Sequence, residues 1–504
     1  MRAVSSTRRP PKRRVSVQAL STAQELLQDQ LRKAQSSTQV LELVADQRPL
    51  LDSTLASTAV QKLAYLPRAY PDTSALEVTL AELAHAARCN MTELRNPIDM
   101  LAGFAELNFK CKAIGQLLET FVVHYDMSQH QAANENTDVP VVKRQWDTVC
   151  WGWADNSDVA CNNLVTVAWA FGRLLQHCDD DMLRFMDNIA AELSKKLHNN
   201  LLKDAFTPDD LADTVDAFAN VHDTYRESSQ LLGNTSSVPT RYDRNVGALL
   251  DTIAVDVRHQ LSNKHSMRAP FVPSNLVKLL GGYARMGHIS STCSSMLDAA
   301  AGFVVRRMAA GHLNAVTKLS DLSQLLQAYA TLGHQTVVMP ELLTAASNQL
   351  RKQLASESER QTEIELSKQA DSEVGFAPMF PQWGASVEPL HLVSTLRAYR
   401  NLGFHPSQGL LTASEPFLCC LSEPLPLEPA LDLVSLFRAF TWQPGELVLQ
   451  QTALSLMNAI ALADPKQLVG ITAGLTELRH LGYNIADEQL QQIYTRKLQL
   501  EAAR

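Results

Sequence analysis

One stretch of the sequence recurs with small changes along the chain. Residues 273–288 read PSNLVKLLGGYARMGH, residues 320–334 read SDLSQLLQAYATLGH, and residues 389–404 read PLHLVSTLRAYRNLGF. Leucine and similar side chains fall three, four and seven residues before a tyrosine, which is the pattern of a helix that buries one face. The same frame fits eight segments, whose anchor residues are Phe104, Phe171, Phe218, Tyr283, Tyr329, Tyr399, Phe440 and Leu475.

Helix start and stop signals surround these segments. Proline stands three or four residues before the first apolar position in several of them, where its missing N–H would have no intrahelical partner. Gly287, Gly333 and Gly403 follow their anchors by four residues, as expected for a left-handed helix stop. A second apolar-periodic segment then follows, for example at 293–308 and 340–354. The sequence therefore predicts a repeating pair of antiparallel helices.

The repetition itself predicts the fold class. A single helical pair cannot bury its own apolar stripe, whereas stacked pairs bury each other's. Leucine and alanine dominate and aromatic residues make up only 6% of the chain, which also favours helices. We predict an all-α fold, a right-handed superhelical solenoid of about eight or nine antiparallel helix-turn-helix repeats with disordered insertions. The alternative is one irregular helical domain with chance similarity between segments.

Polar, turn-rich stretches divide the predicted array. They lie where successive anchors are farthest apart, and we interpret them as loops on one rim. The predicted organisation is a disordered transit peptide at 1–24, an N-terminal region of degenerate repeats at 25–125, a loop at 126–145, a repeat array at 146–354 with an insertion at 222–245, a disordered acidic and polar insertion at 355–388, and C-terminal repeats at 389–504.

Charge is distributed unevenly along the chain. The formal net charge is −8, yet residues 1–24 contain six Lys or Arg residues and no acid, which leaves −14 for the rest. A basic, acid-free start without an apolar core resembles an organelle transit peptide. The stretch Val17-Gln18-Ala19 resembles the cleavage context of green-algal chloroplast proteins. We therefore expect the chloroplast stroma, with the mitochondrion, or a basic tail that contacts nucleic acid, as alternatives.

No pattern in the sequence indicates catalysis, a cofactor or a metal. The eight cysteines include no Cys-x-x-Cys pair, and we expect reduced thiols. Asp179, Asp180 and Asp181 precede a predicted helix, where acids cap the N-terminus. Gly281 and Gly282 lie within a predicted helix, which indicates close packing rather than a phosphate-binding loop. We find no nucleophile triad, no P-loop and no kinase signature, so a non-catalytic protein without a bound cofactor is expected.

Polar side chains on the first helix of each pair form a candidate RNA-binding surface. They occupy positions opposite the apolar stripe, where they could line a concave surface. Arginine and glutamine suit contacts with phosphates and base edges, and arginine also stacks on unpaired bases. The alternative is an ordinary solvated helix face. The candidate residues are Arg173, Lys278, Arg285, Gln324, Gln327, Arg397, Arg400 and Arg438.

Three segments resemble the octotricopeptide repeat of green-algal organelle proteins, which is related to the helical repeats of FAST-kinase-like and RAP proteins. They are PSNLVKLLGGYARMGH, TPDDLADTVDAFANVH and NLVTVAWAFGRL, the last containing the favoured Trp169-Ala170 pair. The resemblance covers about residues 95–485. The Pro-Pro-Pro-Glu-Trp stretch of strong repeats is missing, and the chain ends in an amphipathic segment where many relatives carry a RAP domain.

The resemblance implies binding of single-stranded organelle RNA in transcript processing, stabilisation, splicing, ribosomal RNA maturation or translation. The acidic balance of residues 25–504 complicates that expectation, because phosphate contacts require positive surface along the RNA path. The alternative function is a protein–protein scaffold, or a structural subunit of an organelle ribonucleoprotein or ribosome. A continuous positive concave surface would favour RNA, and an acidic or apolar one would favour protein.

Overall fold

The computed structural model describes residues 22–67, 73–89, 97–132, 158–198, 206–231, 240–262, 271–310, 319–371, 388–419 and 424–502. These residues form twenty α-helices and no strand, which confirms the predicted all-α class. Among these helices, none is both long enough and apolar enough to traverse a bilayer. The chain divides into two compact units, Met1–His177 and Cys178–Arg504, which are described separately.

The first unit contains seven helices in the residues that the structure describes. The odd-numbered helices α1, α3, α5 and α7 pack against one another in succession, and the even-numbered α2, α4 and α6 form a second succession. The helices are α1 (Thr22–Lys33), α2 (Ser37–Asp46), α3 (Ser53–Tyr65), α4 (Thr73–Cys89), α5 (Pro97–Leu107), α6 (Lys112–Ala132) and α7 (Asp158–Leu174).

The second unit repeats the same two-layer arrangement. Odd helices α9 to α19 stack in one layer, even helices α8 to α18 stack in the other, and α20 packs on α19. They are α8 (Asp180–His198), α9 (Pro208–Leu231), α10 (Thr240–Ser262), α11 (Pro273–Met286), α12 (Ser291–Ala309), α13 (Leu319–Leu332), α14 (Met339–Asp371), α15 (Pro389–Asn401), α16 (Gln408–Cys419), α17 (Leu427–Ala439), α18 (Glu446–Ala459), α19 (Pro465–His480) and α20 (Asp487–Ala502). Stacked helical pairs of this kind are the architecture of a helical-repeat protein. The handedness and the number of repeats stay predictions.

Buried tyrosines join three odd helices, α11, α13 and α15, to the even helix that precedes each of them. The phenol of Tyr283 donates a hydrogen bond to the carbonyl oxygen of Leu250 at 2.6 Å. Tyr329 bonds Leu297 in the same way at 2.7 Å, and Tyr399 bonds Leu343 at 2.9 Å. Burial raises the pKa of all three phenols, so they remain protonated donors. The three carbonyl partners therefore define equivalent positions on α10, α12 and α14.

The turns after the odd helices correct two predicted anchors. After Tyr283, a residue in the left-handed conformation follows at +4 and the backbone N–H at +5 bonds the anchor carbonyl. The same turn places the later anchors at Phe437 and Leu478, because Trp442 N–H bonds Phe437 and Tyr483 N–H bonds Leu478. The predicted anchors Phe440 and Leu475 are therefore wrong by three residues. A shift of three keeps the apolar stripe almost in place, so periodicity alone did not reveal it.

Several stretches predicted as loops are helical. Helix α9 continues to Leu231 within the predicted insertion 222–245, and α14 continues to Asp371 within 355–388. Helix α6 likewise extends to Ala132 inside the predicted loop 126–145. Glutamate, glutamine, lysine and arginine favour helix without an apolar stripe, so polarity was a poor guide to disorder here. Residues 133–145, 232–239 and 372–387 lie outside the described residues.

The folded N-terminal region begins earlier than the sequence predicts. Thr22 to Gln24, assigned to a disordered segment at 1–24, form the first turn of α1. The Gln24 side chain donates hydrogen bonds to the Leu50 carbonyl at 3.4 Å and to the Asp52 carboxylate at 3.2 Å. Residues 1–21 lie outside the described residues. The division into units falls after His177, whereas the sequence predicts one array from 146 to 354.

Candidate nucleic-acid interface

Seven of the eight predicted RNA-binding residues lie on one surface of the second unit, and Arg173 lies on α7 of the first. The stacking of odd helices brings equivalent positions of neighbouring repeats side by side. We name this surface the odd-helix face and define it by Asp213, Asp216, Asp223, Lys278, Arg285, Gln324, Gln327, Arg397, Arg400, Asp432, Ser435 and Arg438.

Acidic side chains of α9 neutralise the two cations of α11. Lys278 Nζ forms a close ion pair with Asp213 and lies 3.8 Å from Asp216 Oδ2. Arg285 bridges the next turn, with Nη1 3.0 Å from Asp216 Oδ1 and Nη2 2.6 Å from Asp223 Oδ2. The guanidinium therefore cross-links two turns of the neighbouring helix instead of projecting freely into solvent.

The cations of α15 are paired in the same way with α17. Arg397 Nη1 lies 2.8 Å from Asp432 Oδ2, and both side chains are largely covered. Arg400 donates a short hydrogen bond to the Ser435 hydroxyl and lies 3.9 Å from Asp432 Oδ1. These bonds order both guanidiniums along the helix–helix seam. Four of the predicted RNA-binding cations thus already have anionic or polar partners within the protein.

The remaining candidates are less constrained. Gln324 is exposed and Gln327 half-buried, and neither bonds another described residue. Arg438 is exposed and has no carboxylate partner among the described residues. Its corrected register, one residue after Phe437, aligns it with Arg400 rather than with Arg397. In the first unit, the Arg173 guanidinium lies 5.2 Å from the ring centre of Trp169, a cation–π contact.

The odd-helix face is charge-balanced rather than positive. Helix α9 contributes carboxylates, α11 and α15 contribute cations that meet carboxylates, and α13 contributes neutral amides. Such a surface carries hydrogen-bond donors and acceptors at regular intervals. It suits polar recognition of base edges or of a peptide better than attraction of phosphates, which depends on excess positive charge.

Two cysteines of the second unit are unreactive thiols because they are buried. Desolvation raises the pKa of the Cys178 thiol to about 12 and that of Cys293 to about 11, so neither forms a reactive thiolate at neutral pH. In the part of the chain that the structure describes, no group of three His, Cys, Asp or Glu side chains could hold a metal ion. The absence of catalytic activity stays a prediction.

Sequence reasoning considered only the first helix of each pair and missed cations on the second. Exposed or half-exposed Lys and Arg side chains recur near the same register on four successive even helices. We name them the cationic row and define it by Lys195, Lys196, Arg258, Arg306, Arg307, Arg351 and Lys352. The signal was present in the sequence, but the register needed to align these residues comes from the tyrosine–carbonyl bonds.

A scan of protein-family models finds none that matches this chain, and a comparison with curated proteins also finds no match. The resemblance to the octotricopeptide repeat therefore depends on the residue pattern of the helical pairs.

Proposed function

We propose that this protein is a non-catalytic RNA-binding helical-repeat protein of the chloroplast that acts in post-transcriptional RNA metabolism. It binds single-stranded RNA and thereby supports transcript processing, stabilisation, splicing, ribosomal RNA maturation or translation. The repeat architecture supports the proposal, because a stack of equivalent units matches a polymer of equivalent units. The basic, acid-free residues 1–24 support the chloroplast as the compartment.

The observation that carries the proposal is the recurrence of hydrogen-bonding side chains at two register positions along stacked odd helices. Five residues before the anchor stand Lys278, Gln324 and Asp432, on α11, α13 and α17. Two residues before it stand Gln327, Arg397 and Ser435, on α13, α15 and α17. In other helical-repeat proteins two or three side chains of one repeat read one base. Helices α13 and α17 offer such a pair at both positions, and α11 and α15 offer one of the two residues.

The test is binding of a labelled, mixed-sequence single-stranded RNA to the full chain, followed by fluorescence anisotropy across a salt series. The affinity is expected to fall as salt rises. We call the slope of the logarithm of the association constant against the logarithm of the salt concentration the salt slope, and expect about −0.7 per phosphate contacted. Negligible or salt-independent binding at low salt would overturn the proposal. Sequencing of the RNA that co-purifies with the tagged full chain from green-algal cells would then identify the target, and imaging of that chain would test the compartment.

A protein scaffold within an organelle ribonucleoprotein is the second candidate function. Two observations favour it: the charge balance of the odd-helix face, and exposed apolar side chains near the end of the described chain, among them Leu462 and Val469. RNase treatment of an organelle extract separates the two functions. An RNA-bound protein shifts to a small size after digestion, whereas a scaffold subunit stays in a large complex.

A further inference from the structure

We propose that the cationic row of the even helices binds the phosphate backbone of single-stranded RNA, while the odd-helix face does not serve as the phosphate site. This inference rests on the proposed RNA-binding function and specifies where the backbone lies. It assigns a role to Lys195, Lys196, Arg258, Arg306, Arg307, Arg351 and Lys352, which form no part of the predicted interface.

The tyrosine–carbonyl bonds fix the register of the row. Leu250, Leu297 and Leu343 are equivalent because each accepts the same bond from the following odd helix. Counting from these residues, the cations of α10, α12 and α14 fall eight to ten residues later. On α8 the matching apolar pattern places Lys195 and Lys196 at the same positions. The even helices stack in order, so the helical turns that carry these cations belong to neighbouring helices.

The row is rich in cations and poor in carboxylates. Seven Lys or Arg residues and no Asp or Glu lie in the last turns of α8 and α12 and in the segments 257–262 and 350–354. Within the described residues, the single ion pair of the row joins Lys195 Nζ to Glu192 Oε1 at 2.7 Å. Arg307 lies 5.2 Å from the Phe303 ring centre, a contact that leaves its charge available.

Helix dipoles do not explain the whole row. The helix dipole stabilises a cation near the helix C-terminus. This effect explains the positions of Lys195, Lys196, Arg306 and Arg307, which lie in the last turns of α8 and α12. Helix α14, however, continues to Asp371, so Arg351 and Lys352 lie well before its end, where the dipole contributes little. Both side chains are exposed. The persistence of two cations at this register, inside a longer helix, indicates a ligand rather than helix capping.

The dimensions suit an extended polyanion. Packed helices are spaced about 8–10 Å apart, so four of them extend a row over about 30 Å. A nucleic-acid strand presents one negative charge per nucleotide over such a length, and Lys and Arg binding releases its counterions. This local concentration also reconciles RNA binding with a net charge of −14 outside residues 1–24.

The odd-helix face is a poorer phosphate site for an electrostatic reason. A phosphate approaching Lys278 or Arg285 would be repelled by the carboxylates of Asp213, Asp216 and Asp223, which lie within ion-pair distance of those cations. Along the cationic row, Glu192 is the one carboxylate paired with a member among the described residues. The backbone therefore follows the even helices.

The experiment compares two full-length variants that remove the same number of charges. The row variant carries Arg258→Gln, Arg306→Gln, Arg351→Gln and Lys352→Gln. The control carries Arg184→Gln, Arg226→Gln, Arg360→Gln and Lys466→Gln, all exposed side chains outside the row and the odd-helix face. Both are assayed with the labelled mixed-sequence RNA by anisotropy across a salt series. Each lost phosphate contact should reduce the magnitude of the salt slope by about 0.7, so the four substitutions of the row variant should reduce it by about 3. The control is expected to keep the salt slope of the parent chain.

A row variant with the slope of the control overturns the inference while the proposed function stands. A parent chain that does not bind RNA overturns both. If thermal unfolding shows that the fourfold variant is destabilised, Arg351→Gln with Lys352→Gln replaces it, with an expected loss of about 1.4 from the slope. An unchanged slope in that double variant, given a binding parent, likewise overturns the inference.

Discussion

The two layers of the second unit use their cations differently. On the odd-helix face, Lys278, Arg285 and Arg397 each reach across to a carboxylate on a neighbouring helix. On the even helices, most members of the cationic row have no ion pair among the described residues. The same residue types thus act as cross-links in one layer and remain available to a ligand in the other.

The difference shows that position opposite an apolar stripe does not by itself indicate a binding surface. Arginine at such a position also extends along the seam between two stacked helices, where a neighbouring aspartate can meet it. The partners of Arg285 lie 62 and 69 residues away in sequence, at Asp223 and Asp216. These two aspartates reach Arg285 only because α9 stacks on α11. The role of the cation therefore depends on which helix becomes its neighbour.

The largest expected effect is that of Arg285→Glu on stability. The substitution exchanges two attractive contacts for repulsion by Asp216 and Asp223, so we expect the free energy of unfolding to fall by about 2 kcal/mol. Solvent screens part of this interaction because the Arg285 side chain is 37% exposed. Chemical denaturation of the full chain measures it. On sequence alone, this charge reversal would be expected to weaken RNA binding and leave stability unchanged.

Arg438→Glu is the matched control, since it makes the same charge change on the same face at a residue without a carboxylate partner among the described residues. Like Arg285, Arg438 lies in the last turn of its helix, so the new acid meets an unfavourable helix dipole in both variants. The free energy of unfolding is expected to fall by about 0.5–1 kcal/mol in Arg438→Glu, less than in Arg285→Glu. Equal losses in the two variants would show that the ion pairs of Arg285 do not cross-link α9 and α11.

A smaller effect is expected at Gly282, where α11 packs closely against α9. A methyl group added at Gly282 would lie 2.6 Å from Val215 Cγ1 and 3.2 Å from its carbonyl oxygen, whereas one at Gly281 meets nothing within 4 Å. We expect Gly282→Ala to lower the free energy of unfolding by about 1–2 kcal/mol through overpacking. Gly281→Ala is expected to raise it by about 0.5–1 kcal/mol through helix propensity. Thermal unfolding of both variants checks this, and stabilisation by both would refute the close contact.

The tyrosine bonds between the layers give the next prediction. Tyr329→Phe removes one buried hydrogen bond to Leu297 and is expected to cost about 1 kcal/mol at neutral pH. Burial raises the pKa of Tyr329, so the unfolded chain loses the phenolic proton from about pH 10 while the folded chain keeps it. The stability contribution is thus complete below pH 10 and is lost as pH rises further. Chemical denaturation at pH 8 and above pH 10 measures the free energy of unfolding. It should fall less between these pH values in Tyr329→Phe than in the parent chain. An equal fall would show that ionisation of Tyr329 is not coupled to unfolding.

The fold was largely predictable because apolar periodicity and glycine stops are local signals. Tyr283, Tyr329 and Tyr399 were correctly placed as anchors. The close packing predicted for Gly281 and Gly282 is confirmed at Gly282 and wrong at Gly281, where an added methyl group meets nothing within 4 Å. The anchor Phe440 was not correctly placed, because Thr441 adopts the left-handed conformation that glycine usually signals. In the last pair the left-handed residue is Gly482, four residues after Leu478, and the prediction of Leu475 overlooked this glycine stop. The candidate site was less predictable, since ion pairs such as Arg397–Asp432 depend on which helices become neighbours.

The smallest expected effect separates helix capping from ligand binding within the cationic row. Arg306 lies in the last turn of α12, so Arg306→Gln removes a favourable dipole interaction and should cost about 0.3–1 kcal/mol. Arg351 lies inside α14, and Arg351→Gln should change stability by less than about 0.3 kcal/mol. Chemical denaturation at low salt compares the two variants. A loss at Arg351 as large as that at Arg306 would give both residues a structural role and remove the main reason to assign the row to a ligand. A stable Arg351→Gln variant with a reduced salt slope for RNA would instead mean that the cation contributes little to folding and is available for binding.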